Sequence, residues 1–317
     1  RLLILLPTTS YRVKDFLKAA NKLGVEVTIG SNEQNVLNAF QPKQTLRIDF
    51  KDLKSSVQAI QDYHKKYTII SILGVDEETS LVAAKAAEEL NLPHNSFESV
   101  KTTSDKFLFR KKLKECDLLT PNFLCLNPDT EAKTFSTKVD YPCVLKPVKR
   151  SGSQGVIRAN NAAEFLSSHQ IISSLAPDED IIVEDFLPGQ EVALEGVLIE
   201  GKLTTLAIFD KPDPLDGPYF EETLYVTPSR HPTSVQDELR ALVQQAASSI
   251  GLKEGPIHAE MRLRHNERFV NDRGPWLIEL AARSIGGLCS RSLNFDGNRS
   301  LEELIIAHSL NQPLGNT

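Results

Sequence analysis

With 317 residues, 40% of them hydrophobic and 25% charged, the chain has room for roughly two to three ordinary domains, each with a real core. Its 36 basic against 42 acidic residues leave a net charge of −6, which argues against a nucleic-acid or anionic-membrane surface, where affinity rests on massed Lys and Arg. Cys116, Cys125, Cys143 and Cys289 form no C-x-x-C pair and have no His at metal-ligand spacing, so reduced thiols in a cytoplasmic protein are expected.

The chain opens on "RLLILLP", whose apolar run is too short for a signal segment or a membrane span and reads as a first buried strand. It begins without Met and stops just after a helix-like stretch, so trimming at both ends is expected. "YRVKDFLKAANKL" has helical spacing through Val13, Phe16, Leu17, Ala20 and Leu23, with Gly24 as its cap, and "VEVTIGS" follows as a strand. "DFKDLKSSVQAIQDYHKK" is amphipathic, "YTIISIL" is an apolar strand, and a helix is expected over 78–90. Strands and helices in alternation, with continuous rather than alternating apolar strands, predict a parallel Rossmann-like sheet over 1–100. No G-x-G-x-x-G follows any of these strands, so the dinucleotide fingerprint is absent. "GVDEETS" lies at the carboxyl end of a strand, where such sheets bind ligands, and reads equally well as an ordinary acidic helix N-terminus.

"TTSDKFLFRKKLKECDLLTPNF" predicts a helix with Ser104 as N-cap and Asp105 in the first turn, and "LTP" marks a change of unit. A small unit of strands and one helix is expected over 121–183. From Glu184 strands dominate, with a hairpin signal at Glu200-Gly201, a Pro-rich loop over 211–219 and a helix over 234–250. "IHAEMRL" and "WLIELAAR" then read as two further strands.

The stretch "VLKPVKRSGSQGV" poses the first chemical question, because Lys146 stands where the strand pattern would continue into a core. A buried lysine is costly unless an anion pairs with it. Lys149, Arg150, Gly152 and Gly155 follow, a loop whose backbone N–H groups and Ser hydroxyls could cradle phosphate. It lacks the G-K-[ST] of a Walker loop, and a hairpin with solvated cations explains it as well. In "HAEMRL", His258, Glu260 and Arg262 share one face, and in "LIELAAR" so do Glu279, Ala281 and Arg283. A carboxylate and an arginine on each of two strands suit Mg²⁺ with bound phosphates, in preference to a solvated polar face. In "IIVEDFLPGQEVALEG", Glu184 could accept from an adenine amino group, the backbone beside it could read the ring edge, and a second acid could hold ribose; isolated acids of this kind are more often surface charges. The insert "DKPDPLDGPYFEET" could line the same site through Lys211, Glu221 or Glu222, or be an exposed turn.

In their order along the chain, Lys106, Lys146-Pro147, the glycine loop, E-D-F-L-P-G-x-E, H-A-E and E-x-x-x-R-x-x-G-G resemble the ATP-grasp superfamily. The likeness is to its carboxylate–amine ligases, which include bacterial L-amino acid ligases, and more distantly to biotin carboxylase and the carbamoyl-phosphate synthetase large chain. The resemblance implies an α/β fold of the α+β grasp kind: a pre-grasp Rossmann-like domain over 1–100, a linker helix and small lobe with a glycine-rich lid over 104–190, and a large, mostly antiparallel lobe over 191–317. It implies that Lys106 and Lys146 hold ATP phosphates under a lid of Ser151, Gly152, Ser153, Gly155 and Val156. Glu184, with the backbone of Phe186 and Leu187, would read adenine, and Glu191 the ribose. Glu260 and Glu279 would ligate Mg²⁺, for which Mn²⁺ could substitute, and Arg283 would steady the transferred phosphoryl group. Ala281 departs from the family's common E-x-N-x-R and cannot coordinate, so water or a weaker second metal site is expected there.

By the same resemblance the chain would activate a small carboxylate as an acyl phosphate for attack by an amine, with Lys146 tolerated because nucleotide phosphate neutralises it. His258, Arg262, Ser284, Gly286 and Gly287 lie next to the expected acyl site. An ATP-dependent carboxylase using bicarbonate and a catalytically weak nucleotide-binding module are the alternatives. No nucleic-acid or membrane partner is expected, and a homodimer is left open.

Overall fold

A computed structural model describes residues 1–33, 43–263 and 274–315, and among them are three four-stranded sheets. The first holds β1 (Leu2–Leu5), β2 (Val27–Ser31), β3 (Thr45–Arg47) and β4 (Ser71–Gly74), in the order β3-β2-β1-β4 with every pair parallel. Helices cover both faces of β1, which explains its unbroken apolar run. Leu2 and Ile4 meet Phe16, Ala19 and Ala20 of α1 (Val13–Lys22). Leu3 and Leu5 meet α2 (Leu53–His64) and α3 (Glu77–Glu89). The short, half-exposed β3 escapes sequence periodicity altogether.

Two helices lead onward, α4 (Phe97–Ser104) and α5 (Lys106–Glu115). The expected cap moves by one residue: Ser104 ends α4, and Asp105 caps α5 by accepting from Leu108 N at 2.9 Å. A carboxylate at this position also complements the positive end of the helix dipole. Ser104 instead donates to Glu77 Oε1 at 2.6 Å.

The second sheet comprises β5 (Phe123–Leu126), β6 (Cys143–Pro147), β7 (Ile157–Ala159) and β8 (Ile181–Asp185), antiparallel in the order β5-β8-β6-β7. A one-turn α6 (Ala132–Phe135) and α7 (Ala162–Leu175) accompany it, so the unit has two helices where one was expected. Cys143, Leu145 and Val183 face Phe165 and Ile172 of α7 in an apolar cluster. By alternation, Lys146 and Glu184 point the other way.

The third sheet is antiparallel and runs β10-β9-β11-β12, with β9 (Glu191–Ile199), β10 (Lys202–Asp210), β11 (Gly255–Arg262) and β12 (Trp276–Ala281). Glu200 and Gly201, at φ of 51° and 82°, form the expected two-residue hairpin between β9 and β10. One face packs Leu194, Ile257, Ala259, Met261 and Leu280 against α5 and α8 (Thr233–Ile250). Ala193 and Phe209, on the opposite face, join the β1–α1 core together with α9 (Leu301–Ser309). The acidic residues of β9, β11 and β12 share that opposite face, so packing of α8 decides where the polar site lies.

The four cysteines are free thiols. Among the described residues no helix is long and apolar enough to cross a membrane.

Candidate active site

Both antiparallel sheets, α5 and the β4–α3 turn contribute to one cavity of about 330 Å³, within the range of small-molecule sites. On the small-sheet side, Lys146 Nζ lies 2.6 Å from Glu184 Oε2. Arg110 grips the same carboxylate, Nε to Oε1 at 2.7 Å, and donates to the carbonyls of Leu277 at 2.7 Å and Ile278 at 2.9 Å. Burial alone would raise the Glu184 carboxyl, but Arg110 and Lys146 outweigh it and bring it to about 2. Burial pulls Lys146 downward, because the attraction of Glu184 is opposed by Arg110 beside it. Two buried cations therefore share one anion, and the group carries a surplus positive charge.

The lysine's first counter-ion is thus a protein carboxylate, a correction to the expectation that phosphate alone accounts for it. Both oxygens of Glu184, expected at adenine, accept from these cations. The Phe186 N–H is also committed, donating to Pro142 O at 3.0 Å. Lys106 donates from Nζ to the Arg150 carbonyl, tying the start of α5 to the glycine loop. In that loop Gly152, Ser153 and Gly155 all have positive φ, at 64°, 54° and 75°. Such a turn directs successive N–H groups to one side. Ser151, Gly152, Ser153 and Val156 line the cavity. Gly155 is not at the wall; it sits against Pro147 and Leu175. Arg150 pairs with Glu179 at 2.9 Å.

On the large-sheet side, register determines the partners. Arg262 stands opposite Glu191, His258 opposite Glu195, and Glu260 opposite Glu279. Lys211, following β10, reaches three carboxylates at once: Glu191 at 2.7 Å, Glu222 at 2.5 Å and Glu260 at 3.0 Å. Ligand atoms of Glu191, Glu222 and Glu260 all lie within 4.8 Å of one another. Burial disfavours the Lys211 ammonium, yet Glu260 and Glu191 hold its pKa far above the ordinary range. Burial also opposes charge on His258, but Glu195 at 3.3 Å and Glu260 at 3.5 Å outweigh it and raise it to about 9. Arg283 Nε donates to Glu77 Oε2 at 2.8 Å, and Nη2 lies 3.9 Å from Glu279. Glu77 belongs to "GVDEETS", the turn left undecided in the sequence.

Lys106, Lys146, Glu184, Phe186, Leu187, Glu191, His258, Glu260, Arg262, Glu279, Arg283, Gly286 and Gly287 all border the cavity. Three of the expected site residues have partners that the sequence did not show. Ser284 is buried off the cavity and accepts from Arg12 Nη2 at 2.8 Å. Arg262, expected at the substrate, is 3% exposed, and its donors go to Glu191 and to the carbonyls of Leu187, Gly189 and Leu215, so it clamps the connection between β8 and β9. Glu191, expected at the ribose, is held between Arg262 and Lys211. Of the insert, Glu222 lines the cavity, Lys211 lies within the three-carboxylate group and Glu221 is exposed. Arg110 escapes sequence reading because nothing separates it from its neighbours in "FRKKLK".

Comparison with known proteins supplies independent findings. A model of the ATP-grasp domain matches residues 139–292, and one of the ATP-grasp N-terminal domain matches residues 17–94. Dapdiamide A synthase of Enterobacter agglomerans is 25% identical over 240 residues, 73% of this chain and 54% of that protein. A D-alanine–D-alanine ligase of Ralstonia pickettii is 24% identical over 245 residues, 74% of this chain and 71% of the ligase. The crystal structure of an L-amino acid ligase from Bacillus licheniformis superposes with a TM-score of 0.79 at 25% identity, covering 100% of this chain and 75% of that one. The chain spans about half the length of the dapdiamide synthase and 60% of an uncharacterized Sinorhizobium fredii relative.

Proposed function

Because the chain belongs to the ATP-grasp superfamily, we propose that it is an ATP- and Mg²⁺-dependent ligase joining a carboxylate to an amine. The observation that carries this reading is that Lys106 and Lys146 from one side and the opposed Glu260 and Glu279 from the other border a single cavity. The parallel sheet would be the Rossmann-like pre-grasp unit.

Two anions must meet when a carboxylate attacks a γ-phosphate, so the protein's task is positioning and charge neutralisation. The acid's oxygen forms a bond to the γ-phosphorus as the bond to the β–γ bridging oxygen breaks, releasing ADP. The amine nitrogen then attacks the acyl carbon, the carbon–oxygen bond to phosphate breaks, and the nitrogen gives up a proton. Lys146 brings the surplus charge of its buried group to the phosphates, and Lys106 joins it from α5 while holding the glycine loop. Arg283, braced by Glu77, places a fixed guanidinium beside Glu279. His258 adds an imidazolium at neutral pH. For the adenine edge the segment after β8 would offer the Phe186 carbonyl and the Leu187 N–H, since the Phe186 N–H and the Leu187 carbonyl are already bonded.

The donor set fits a hard divalent cation, since Glu260 and Glu279 face each other in register and Glu191 and Glu222 bring further carboxylate oxygens close to Glu260. Glu260 and Glu279 would hold Mg²⁺, or Mn²⁺, which would neutralise phosphate charge.

A panel of acids and amines scored for ADP release and amide formation tests the reading. Lys146→Ala and Glu279→Ala should each lower kcat/KM by about a hundredfold or more, near 3 kcal/mol of transition-state stabilisation. Unchanged turnover in both variants would reject the site. ADP release that needs bicarbonate but no amine would indicate a carboxylase, and ATP binding with no ADP release a nucleotide-binding module.

A further inference from the structure

β12 does not run as a regular strand, and its irregularity falls at the cavity. Glu260 stands opposite Glu279 but Met261 stands opposite Leu277, so Ile278 is an extra residue with no partner on β11. Such a β-bulge bends the strand and re-aims its side chains. Leu277 and Leu280, three apart, both pack into the apolar cluster under α8. Ile278 and Glu279, adjacent in the chain, both border the cavity. Strict alternation would have put the members of each pair on opposite faces.

A bulge leaves backbone groups outside the ladder, and buried carbonyls need donors. Arg110 supplies them. Its Nη1 donates to Leu277 O at 2.7 Å and its Nη2 to Ile278 O at 2.9 Å. The same guanidinium holds Glu184 through Nε and Nη2, and Glu184 in turn accepts from Lys146. Arg110 is 1% exposed and stands one helical turn after Lys106 on α5. Lys146 already pairs with Glu184, so charge balance does not call for a second buried cation there. The bulge carbonyls account for it, because they need a planar fork and not a point charge.

We propose that Arg110 is a positioning residue: it fixes the bulge that turns Glu279 into the cavity and, through Glu184, ties that strand to Lys146. Lys146 and Glu279 come from different sheets, and Arg110 holds them in one register. The role rests on the ligase reading, which gives Lys146 the phosphates and Glu279 the metal, and adds the part that sets their spacing. Arg110 does not itself border the cavity, so it acts only through its partners.

Arg110→Lys keeps the charge and loses the fork. Binding of Mn²⁺ to the ADP complex, followed by electron paramagnetic resonance of free Mn²⁺, reads the metal acids without turnover. Arg110→Lys should weaken that binding by about 10- to 100-fold, as loss of a group orienting a metal ligand does. ADP without metal should bind as it does to wild type. In a Glu279→Gln background the same change should cost no further Mn²⁺ affinity, because the two residues act in one chain. With the best acid and amine, kcat should fall while KM for the acid holds. Arg110→Met/Glu184→Gln, which removes one charge of each sign, repeats the Mn²⁺ comparison where Arg110→Lys is too unstable to assay. Wild-type Mn²⁺ affinity in the folded variant, even with a lowered melting temperature, would overturn the assignment. So would equal Mn²⁺ losses with and without Glu279, or metal-free ADP binding weakened as much as Mn²⁺ binding in Arg110→Lys. Mn²⁺ and ADP bound by wild type with no amide from any pair counts against the ligase reading alone, and the Mn²⁺ comparison still decides the role of Arg110.

Discussion

Glu184 accepts from Lys146 Nζ at 2.6 Å through one oxygen and from Arg110 Nε at 2.7 Å through the other, with the carboxylate 3% exposed. The arrangement keeps a lysine in a protein interior while leaving its charge only half cancelled. Removing the shared anion should therefore be far worse than removing one cation. Glu184→Gln strands two buried cations and should cost about 3–5 kcal/mol of stability. Lys146→Met should melt close to wild type yet lose the stabilisation that ADP or ATP gives the parent. Calorimetry with and without nucleotide checks both, and wild-type stability in Glu184→Gln would show that the shared carboxylate is dispensable.

The same carboxylate should make the protein acid-labile. Its folded pKa, about 2, lies below the ordinary 4.5, so its stabilisation is complete above pH 4.5 and is lost as pH falls through the folded value. The linked free energy is about 3 kcal/mol. Denaturant titrations between pH 5 and pH 2 should show wild-type stability falling more steeply than that of Glu184→Gln; parallel curves would assign acid lability to other groups.

Lys211 is the tethered cation of the three-carboxylate group. Lys211→Met leaves Glu191, Glu222 and Glu260 facing one another without it, and like charges at this range repel. The variant should be less stable in EDTA and should gain more melting temperature from millimolar Mg²⁺ or Mn²⁺ than wild type does. Equal metal responses would remove these acids from consideration as a divalent site.

Arg283 is held by Glu77 at 2.8 Å, so its fork is oriented before any substrate arrives. Arg283→Lys keeps the charge and loses the fork, and kcat should fall by about a hundredfold or more. Glu77→Gln leaves the guanidinium but loosens it, and the loss should be nearer tenfold. Steady-state kinetics with ATP and the best acid distinguishes them. A conservative lysine that restores full turnover would reduce Arg283 to a point charge.

Much of this was legible along the chain. Period-two spacing in "HAEMRL" and "LIELAAR" gave the right faces, and register then set Glu260 opposite Glu279. The continuous apolar run of β1 predicted a strand buried on both faces, and Glu200-Gly201 predicted its hairpin. Arg262 shows the limit: its face was legible, but not its partners, because the carbonyls it clamps come from the β8–β9 connection and from the insert, at Leu187, Gly189 and Leu215. Glu77 and Arg283 are 206 residues apart, and no local pattern links them.

The chain's own spacing of charged and apolar residues determined which side chains leave the cores, since strand alternation is a local property of the backbone. It also determined that a lysine would stand at the end of a buried strand, ahead of a glycine loop. Only the tertiary structure decided their partners: Glu184 shared by Lys146 and Arg110, Lys211 among three acids, Arg110 at the carbonyls of the β12 bulge. Partners are chosen when sheets distant in sequence pack together, and burial then obliges each charge to accept whatever counter-charge that packing brings within reach.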